Sequence, residues 1–163
     1  VNIDDFNRLP AERRRALLLD CCHCRQWAER VLEQGAAQSL AQLQQRARRA
    51  WQGLRESDYL EAFAAHPRIG DLERLKEKFA GAEQGQVAAA DEATLQELQQ
   101  LNENYLERFG FIFIICASGQ SARRMLAALR ARIGNNRTEE LAIAAAEQAQ
   151  ITRLRLEKYF AQP

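Results

Sequence analysis

Between Ser39 and Leu54 the apolar residues Leu40, Leu43, Ala47, Trp51 and Leu54 return every three or four positions, with glutamine and arginine between them. That period predicts a helix with one core-facing side, and Ser39-Leu40-Ala41-Gln42 supplies a capping box for it. The same period organises most of the chain. A short helix is expected around Ile3 to Arg8, ended by Leu9-Pro10. A second runs from Ala11 to about Cys22, with Ala16, Leu17 and Leu19 available to the core and Pro10 fitting its first turn. A third covers Cys24 to Glu33, turns Trp27 and Val31 or Leu32 inward, and closes at Gly35. Ser57 starts a helix through Tyr59, Leu60, Phe63 and Ala64, and Asp71 begins a short one through Leu72, Leu75 and Phe79. From Ala80 to Ala90 the apolar pattern lapses, Gly81 and Gly85 intervene, and a loop displaying Glu83 and Gln84 is expected. A long helix follows on Leu95, Leu98, Leu101 or Asn102, Tyr105 and Phe109, stopped by Gly110. Ser121 to Arg132 forms another, with Ala122, Leu126, Leu129 and Ile133 on one face. Asn136-Arg137-Thr138-Glu139 opens the last helix, whose inward stripe reads Leu141, Ala144 or Ala145, a polar interruption at Gln148, Ile151, and then Arg155.

One stretch breaks the helical pattern. Phe111-Ile112-Phe113-Ile114-Ile115-Cys116-Ala117-Ser118-Gly119 is strongly β-prone, yet no second run of that kind exists to pair with it. The fold expected is therefore all-α: a single-domain, multi-helix bundle over residues 1–163, with one extended, non-sheet segment at about 111–117 through its core. Backbone N–H and C=O groups in such a segment have no ladder, so they need other partners. Side chains or water are the favoured partners on the residues alone, with an amide-rich ligand as the alternative.

Composition supports the helical reading, since alanine, leucine, glutamine, glutamate and arginine dominate. Lysine and arginine total 23 against 22 acidic residues, a net charge of +1, which lacks the footprint of a nucleic-acid binder. No apolar run approaches a membrane span and the first residues carry no basic-then-apolar signal, so a soluble, cytoplasmic protein is expected. The four cysteines are expected to be reduced.

Three features carry candidate chemistry. His66 precedes Pro67, and proline pushes its predecessor out of the α region, so the arriving helix stops at or just before His66. The imidazole is then presented at a helix C-terminus, where a group titrating near about 6.5 when free serves either as an acid–base catalyst or simply as a helix cap. Cys21-Cys22-His23-Cys24 places Cys21 and Cys24 three apart, a spacing open to a thiol redox pair. Buried structural thiols are favoured there, and two ligands are too few for structural zinc. Arg155 continues a largely apolar seam, either snorkelling to water or aimed at an anion.

Taken together, His66-Pro67-Arg68-Ile69-Gly70, Glu83-Gln84, Phe109-Gly110-Phe111 through Ala117, the early Cys21-Cys22 with Trp27, and Ile151 with Leu154-Arg155-Leu156 resemble the OHCU decarboxylases. These are the 2-oxo-4-hydroxy-4-carboxy-5-ureidoimidazoline decarboxylases of urate degradation. The matches occur in the family's order over nearly the whole chain. One position departs, since the serine of the family's Ser-x-x-Glu-Gln motif falls at Ala80. The resemblance implies cofactor-independent decarboxylation of OHCU to (S)-allantoin, with no metal, by a homodimer. It implies His66 and Glu83 as catalytic residues. Pro67, Gln84, Phe111, Phe113, Ile114, Ile115, Cys116, Ala117 and Arg155 are implied to bind substrate. A thiol redox enzyme built on Cys21 and Cys24, and a helical interaction module, are the competing readings.

Overall fold

Short polar side chains open several of the helices by accepting a hydrogen bond from an otherwise unpaired first-turn N–H. Asn2 accepts from Asp5 N at 2.8 Å, Ser39 from Gln42 N at 3.1 Å, Ser121 from Arg124 N at 3.2 Å and Asn136 from Glu139 N at 2.8 Å. At Ser39 the second arm of the box is displaced: Gln42 accepts from Gln38 N at 2.7 Å, one residue earlier than the usual partner. The computed structural model describes residues 1–67, 92–116 and 120–161. Among these the chain forms helices and no β-strand: α1 (Ile3–Arg8), α2 (Ala11–Cys21), α3 (Arg25–Glu33), α4 (Leu40–Trp51), α5 (Glu56–Ala64), α6 (Glu92–Phe109), α7 (Ala122–Arg132) and α8 (Arg137–Phe160). The all-α expectation holds. The helix expected from Asp71 and the loop expected over 80–90 lie outside the described residues.

Two compact units are present, one made of Val1–Ala65 with Ala145–Pro163 and the other of His66–Ala144. In the first, α3 packs on α2 and α4, and Leu18, Cys21, Cys24, Trp27, Ala28, Val31, Leu43 and Ala47 form the core. Both tryptophans satisfy their indole N–H while burying the ring, as the amphipathic side chain requires. Trp27 donates to Ala47 O at 2.9 Å and Trp51 to Ala145 O at 2.8 Å. Tyr59 packs edge-on against Trp51 and donates to its carbonyl at 2.8 Å. Phe6 meets Phe160 edge to face at 5.5 Å.

Helix α2 buries a different leucine from those expected. Leu18 and Cys21 are buried, Leu17 and Leu19 are half-buried, and Ala16 is exposed. Three consecutive leucines sweep about 200° of a helix, so spacing alone leaves the centre of the face open and the packing partner decides it.

In the second unit α6 packs on α7, with Leu95, Leu98, Tyr105 and Phe109 against Met125, Leu126 and Leu129 in the buried set. Gly110 ends α6 at φ +80°, and its N–H reaches Leu106 O at 2.8 Å, a left-handed helix stop that glycine adopts without steric cost. Helix α8 gives its first turns to this unit and the remainder to the other. Its buried line is Glu140, Ala144, Gln148, Thr152 and Leu156, an i, i+4 row that shares Ala144 and Gln148 with the expected stripe and leaves its Leu141, Ile151 and Arg155 half-buried. Gln148 and Thr152 are accommodated in this row because they bond one another. Gln148 donates to Thr152 Oγ1 at 3.1 Å, and Thr152 donates to Gln148 O at 2.9 Å.

Candidate active site

Helix α5 begins at Glu56, one residue ahead of Ser57, because Asp58 accepts from Arg55 N at 3.2 Å and closes the first turn. It ends at Ala64, with Ala65 still in the α region at φ −78° and ψ −14°. His66 follows in a bend and is half-buried, and Pro67 is exposed. The helix therefore ends just before the histidine, as the following proline requires.

Residues 111–116 are neither helix nor strand. Phe111, Phe113 and Ile114 are buried, and Ile115 and Cys116 are half-buried. At two positions the segment's backbone is answered by side chains: Ile114 O accepts from Arg132 Nη1 at 2.7 Å, and Cys116 O from Gln120 Nε2 at 3.1 Å. The side-chain expectation is met at those two carbonyls. Tyr105 gathers the aromatic rings, with centroids 4.5 Å from Phe109, 5.9 Å from Phe111 and 5.3 Å from Phe113.

Beneath this segment lies a buried polar network that sequence reasoning missed. Arg132, at the end of α7, donates through Nε to Glu140 Oε1 at 2.7 Å. Tyr105 donates to the same oxygen at 2.6 Å, and Asn135 donates to Glu140 Oε2 at 2.9 Å. The Arg132 guanidinium also lies 4.4 Å from the centre of the Phe113 ring, within cation–π range. Side-chain exposure is 10% for Arg132 and 0% for Glu140, so neither charge has water to fall back on. Burial, and then the hydrogen bond to the Glu140 carboxylate, raise the Tyr105 phenol above its ordinary range. The available signal was register: Glu140 lies four residues before Ala144, and Arg132 three after Leu129.

Arg155 belongs to the other unit. It is half-buried, and its Nη1 donates to Cys21 O at 3.2 Å, at the end of α2. The last turn of α2 has no basic residue of its own, and the guanidinium supplies the positive charge that a helix C-terminus favours. One turn on, Tyr159 donates to Asp20 Oδ2 at 3.0 Å.

The neighbouring thiols are buried and free. Burial pushes Cys21 up to about 12, with the Arg155 charge pulling the other way. Burial also raises Cys22 and Cys24. A thiol held protonated is a poor nucleophile and a poor metal ligand, which favours the structural reading of the cluster over a redox pair. No three His, Cys, Asp or Glu side chains among the described residues are grouped as metal ligands. Among those residues no helix is long and apolar enough to cross a membrane.

Of the expected site residues, His66, Pro67, Phe111, Phe113, Ile114, Ile115 and Cys116 fall in the His66–Ala144 unit. The structure brings Phe111, Phe113 and Ile114 together around Tyr105 and Arg132. Glu83, Gln84, Ala117 and the departing Ala80 lie outside the described residues.

An all-α protein with an irregular buried segment and a histidine held at a helix end is a class with close structural parallels. A crystal structure of OHCU decarboxylase in the presence of (S)-allantoin superposes with a TM-score of 0.73 at 36% identity, over 88% of this chain and 96% of that one. A structure of (S)-allantoin synthase shares the fold, with a TM-score of 0.75 at 21% identity over 97% of this chain and 54% of that one. The family model described as OHCU decarboxylase matches residues 7–157, and the chain belongs to that family. It is 41% identical over 147 residues to the uric acid degradation bifunctional protein TTL of Arabidopsis thaliana, covering 86% of this chain. The chain spans 45% of that protein's length. It is 28% identical over 162 residues to the 2-oxo-4-hydroxy-4-carboxy-5-ureidoimidazoline decarboxylase of Halalkalicoccus jeotgali, covering 97% of this chain and 91% of that protein.

Proposed function

We propose that the chain decarboxylates OHCU to (S)-allantoin in urate degradation, without a cofactor, with residues 1–163 acting as a single catalytic domain. The family match over residues 7–157 carries this reading. In OHCU the carbon bearing the carboxylate and hydroxyl adjoins a ring C=N, so the electron pair released with carbon dioxide flows into that imine. The substrate supplies its own electron sink, and the protein has three tasks: orienting the carboxylate, stabilising charge that moves into the ring, and delivering a proton to one face.

His66 transfers the proton and contacts the substrate hydroxyl. Its half-buried place beyond α5 supports that role, since the ring is neither packed away nor fully solvated. Glu83 holds His66 or the ureido N–H groups, with Gln84 beside it. Arg155 binds the anionic, oxygen-rich part of the substrate and keeps its bond to Cys21 O, which uses one of five guanidinium N–H groups. Backbone groups of Phe113, Ile114, Ile115, Cys116 and Ala117 pair with ureido and ring amides, and Phe111 and Pro67 wall the pocket. Assembly as a homodimer in the cytoplasm is proposed on the family resemblance, and light scattering of the purified protein tests the assembly.

The decisive experiment generates OHCU in situ from urate and follows the chirality of the product. Accelerated formation of (S)-allantoin is expected, and slow racemic product would overturn the assignment. Activity is expected to survive exhaustive chelation. A loss reversed by one particular metal would refute the cofactor-free mechanism.

A further inference from the structure

We infer that Arg132, held by Glu140 and Tyr105, is a positioning residue that sets the backbone of Phe113–Cys116 for substrate recognition. The inference rests on the proposed decarboxylase reading and extends it to residues that need not touch substrate. Arg132 divides its donors between two purposes: Nε goes to Glu140 at 2.7 Å, and Nη1 goes to Ile114 O at 2.7 Å. Its face lies 4.4 Å from the centre of the Phe113 ring, so the same group holds a side chain and a carbonyl of adjacent residues. Glu140 cannot turn away, because Tyr105 at 2.6 Å and Asn135 at 2.9 Å occupy its two oxygens. The planar fork of arginine makes two aimed bonds at once, which a point charge does not.

The carbonyls taken by side chains are those of Ile114 and Cys116, two residues apart. With the Ile114 and Cys116 carbonyls held by side chains, Ile115 is fixed between two anchors, and its N–H and C=O are the groups assigned to the amides of a bound ureido compound. An apolar pair of similar volume would fill the space beneath the segment equally well, yet it would leave Ile114 O without its donor and the segment's register unfixed.

The test compares Arg132→Lys and Tyr105→Phe with the parent protein. It uses OHCU generated in situ for kinetics, (S)-allantoin for equilibrium binding, and hydrogen exchange of the peptide covering residues 111–116. The amides that the segment grips do not react, so its disorder should weaken ground state and transition state alike. Arg132→Lys is expected to raise KM and the (S)-allantoin Kd about tenfold, with kcat held within about threefold. Exchange should quicken in the 111–116 peptide ahead of the rest of the protein. If Arg132→Lys does not fold, Tyr105→Phe decides, since it removes one hydroxyl and keeps the ring. Folded Tyr105→Phe should raise KM at least about threefold. Parent-like KM, Kd and exchange in a folded variant would overturn the inference while leaving the decarboxylase reading intact. A parent protein inert toward OHCU would overturn both.

Discussion

A half-buried histidine in a bend is cheap to replace for folding and costly to replace for chemistry. His66→Asn is expected to lower kcat by about a hundredfold or more, with stability changed by no more than about 0.5 kcal/mol. Turnover near that of the parent protein would remove His66 from the mechanism. Glu140 should behave in the opposite way. Replacing it by alanine strands the buried Arg132 charge, a loss of about 3–5 kcal/mol, read as a melting temperature lower by about 10 °C. The sequence made His66 conspicuous because a proline follows it. Glu140 was hidden, because two adjacent acids stand in the first turn of α8 and both suit the helix dipole. Only packing separates them: Glu139 is exposed and Glu140 has no exposure.

At the scale of elements, the joint between α6 and the segment that follows it is restricted in conformation. Gly110 sits at φ +80° with open space where a Cβ would go, so an added methyl meets no neighbour and the cost is backbone strain alone. Gly110→Ala should therefore destabilise by about 1–2 kcal/mol, measurable by urea unfolding. A cost near zero would mean that the joint relaxes out of the left-handed region. Helix limits were legible from caps and stops, as at Ser39, Ser121 and Gly110, because those signals are local. Helix faces were less so. In α2 three leucines in a row gave no centre, and in α8 the buried line is largely polar, so a search for apolar residues found Ala144 and Gln148 but took Leu141 for Glu140 and Ile151 for Thr152. The irregular segment was legible as unpaired, but the origin of its donors was not, since Arg132 and Gln120 reach it from residues further along the chain.

For the whole molecule, buried thiols and a buried phenol set an alkaline limit to stability. Burial raises Cys21 from 9.0 to about 12 and also raises Cys22, Cys24 and Tyr105. The unfolded chain releases these protons first, so the stability that they contribute is complete below their unfolded values and is lost as pH rises through the folded ones. Unfolding free energy should be flat near neutrality and decline from about pH 9 upward. Cys21→Ala should decline less steeply, and an unchanged slope would show that the Cys21 thiol ionises equally in both states. The division of the chain has a consequence for biosynthesis. The unit containing α1 to α5 is finished only by residues made after the whole of His66–Ala144, which supply Ala145 O for Trp51, Phe160 for Phe6 and Arg155 for Cys21 O. While the ribosome adds the intervening residues, this N-terminal part waits without its closing helix. It is then the part most in need of a chaperone, and the least able to survive a stop that removes residues 145–160.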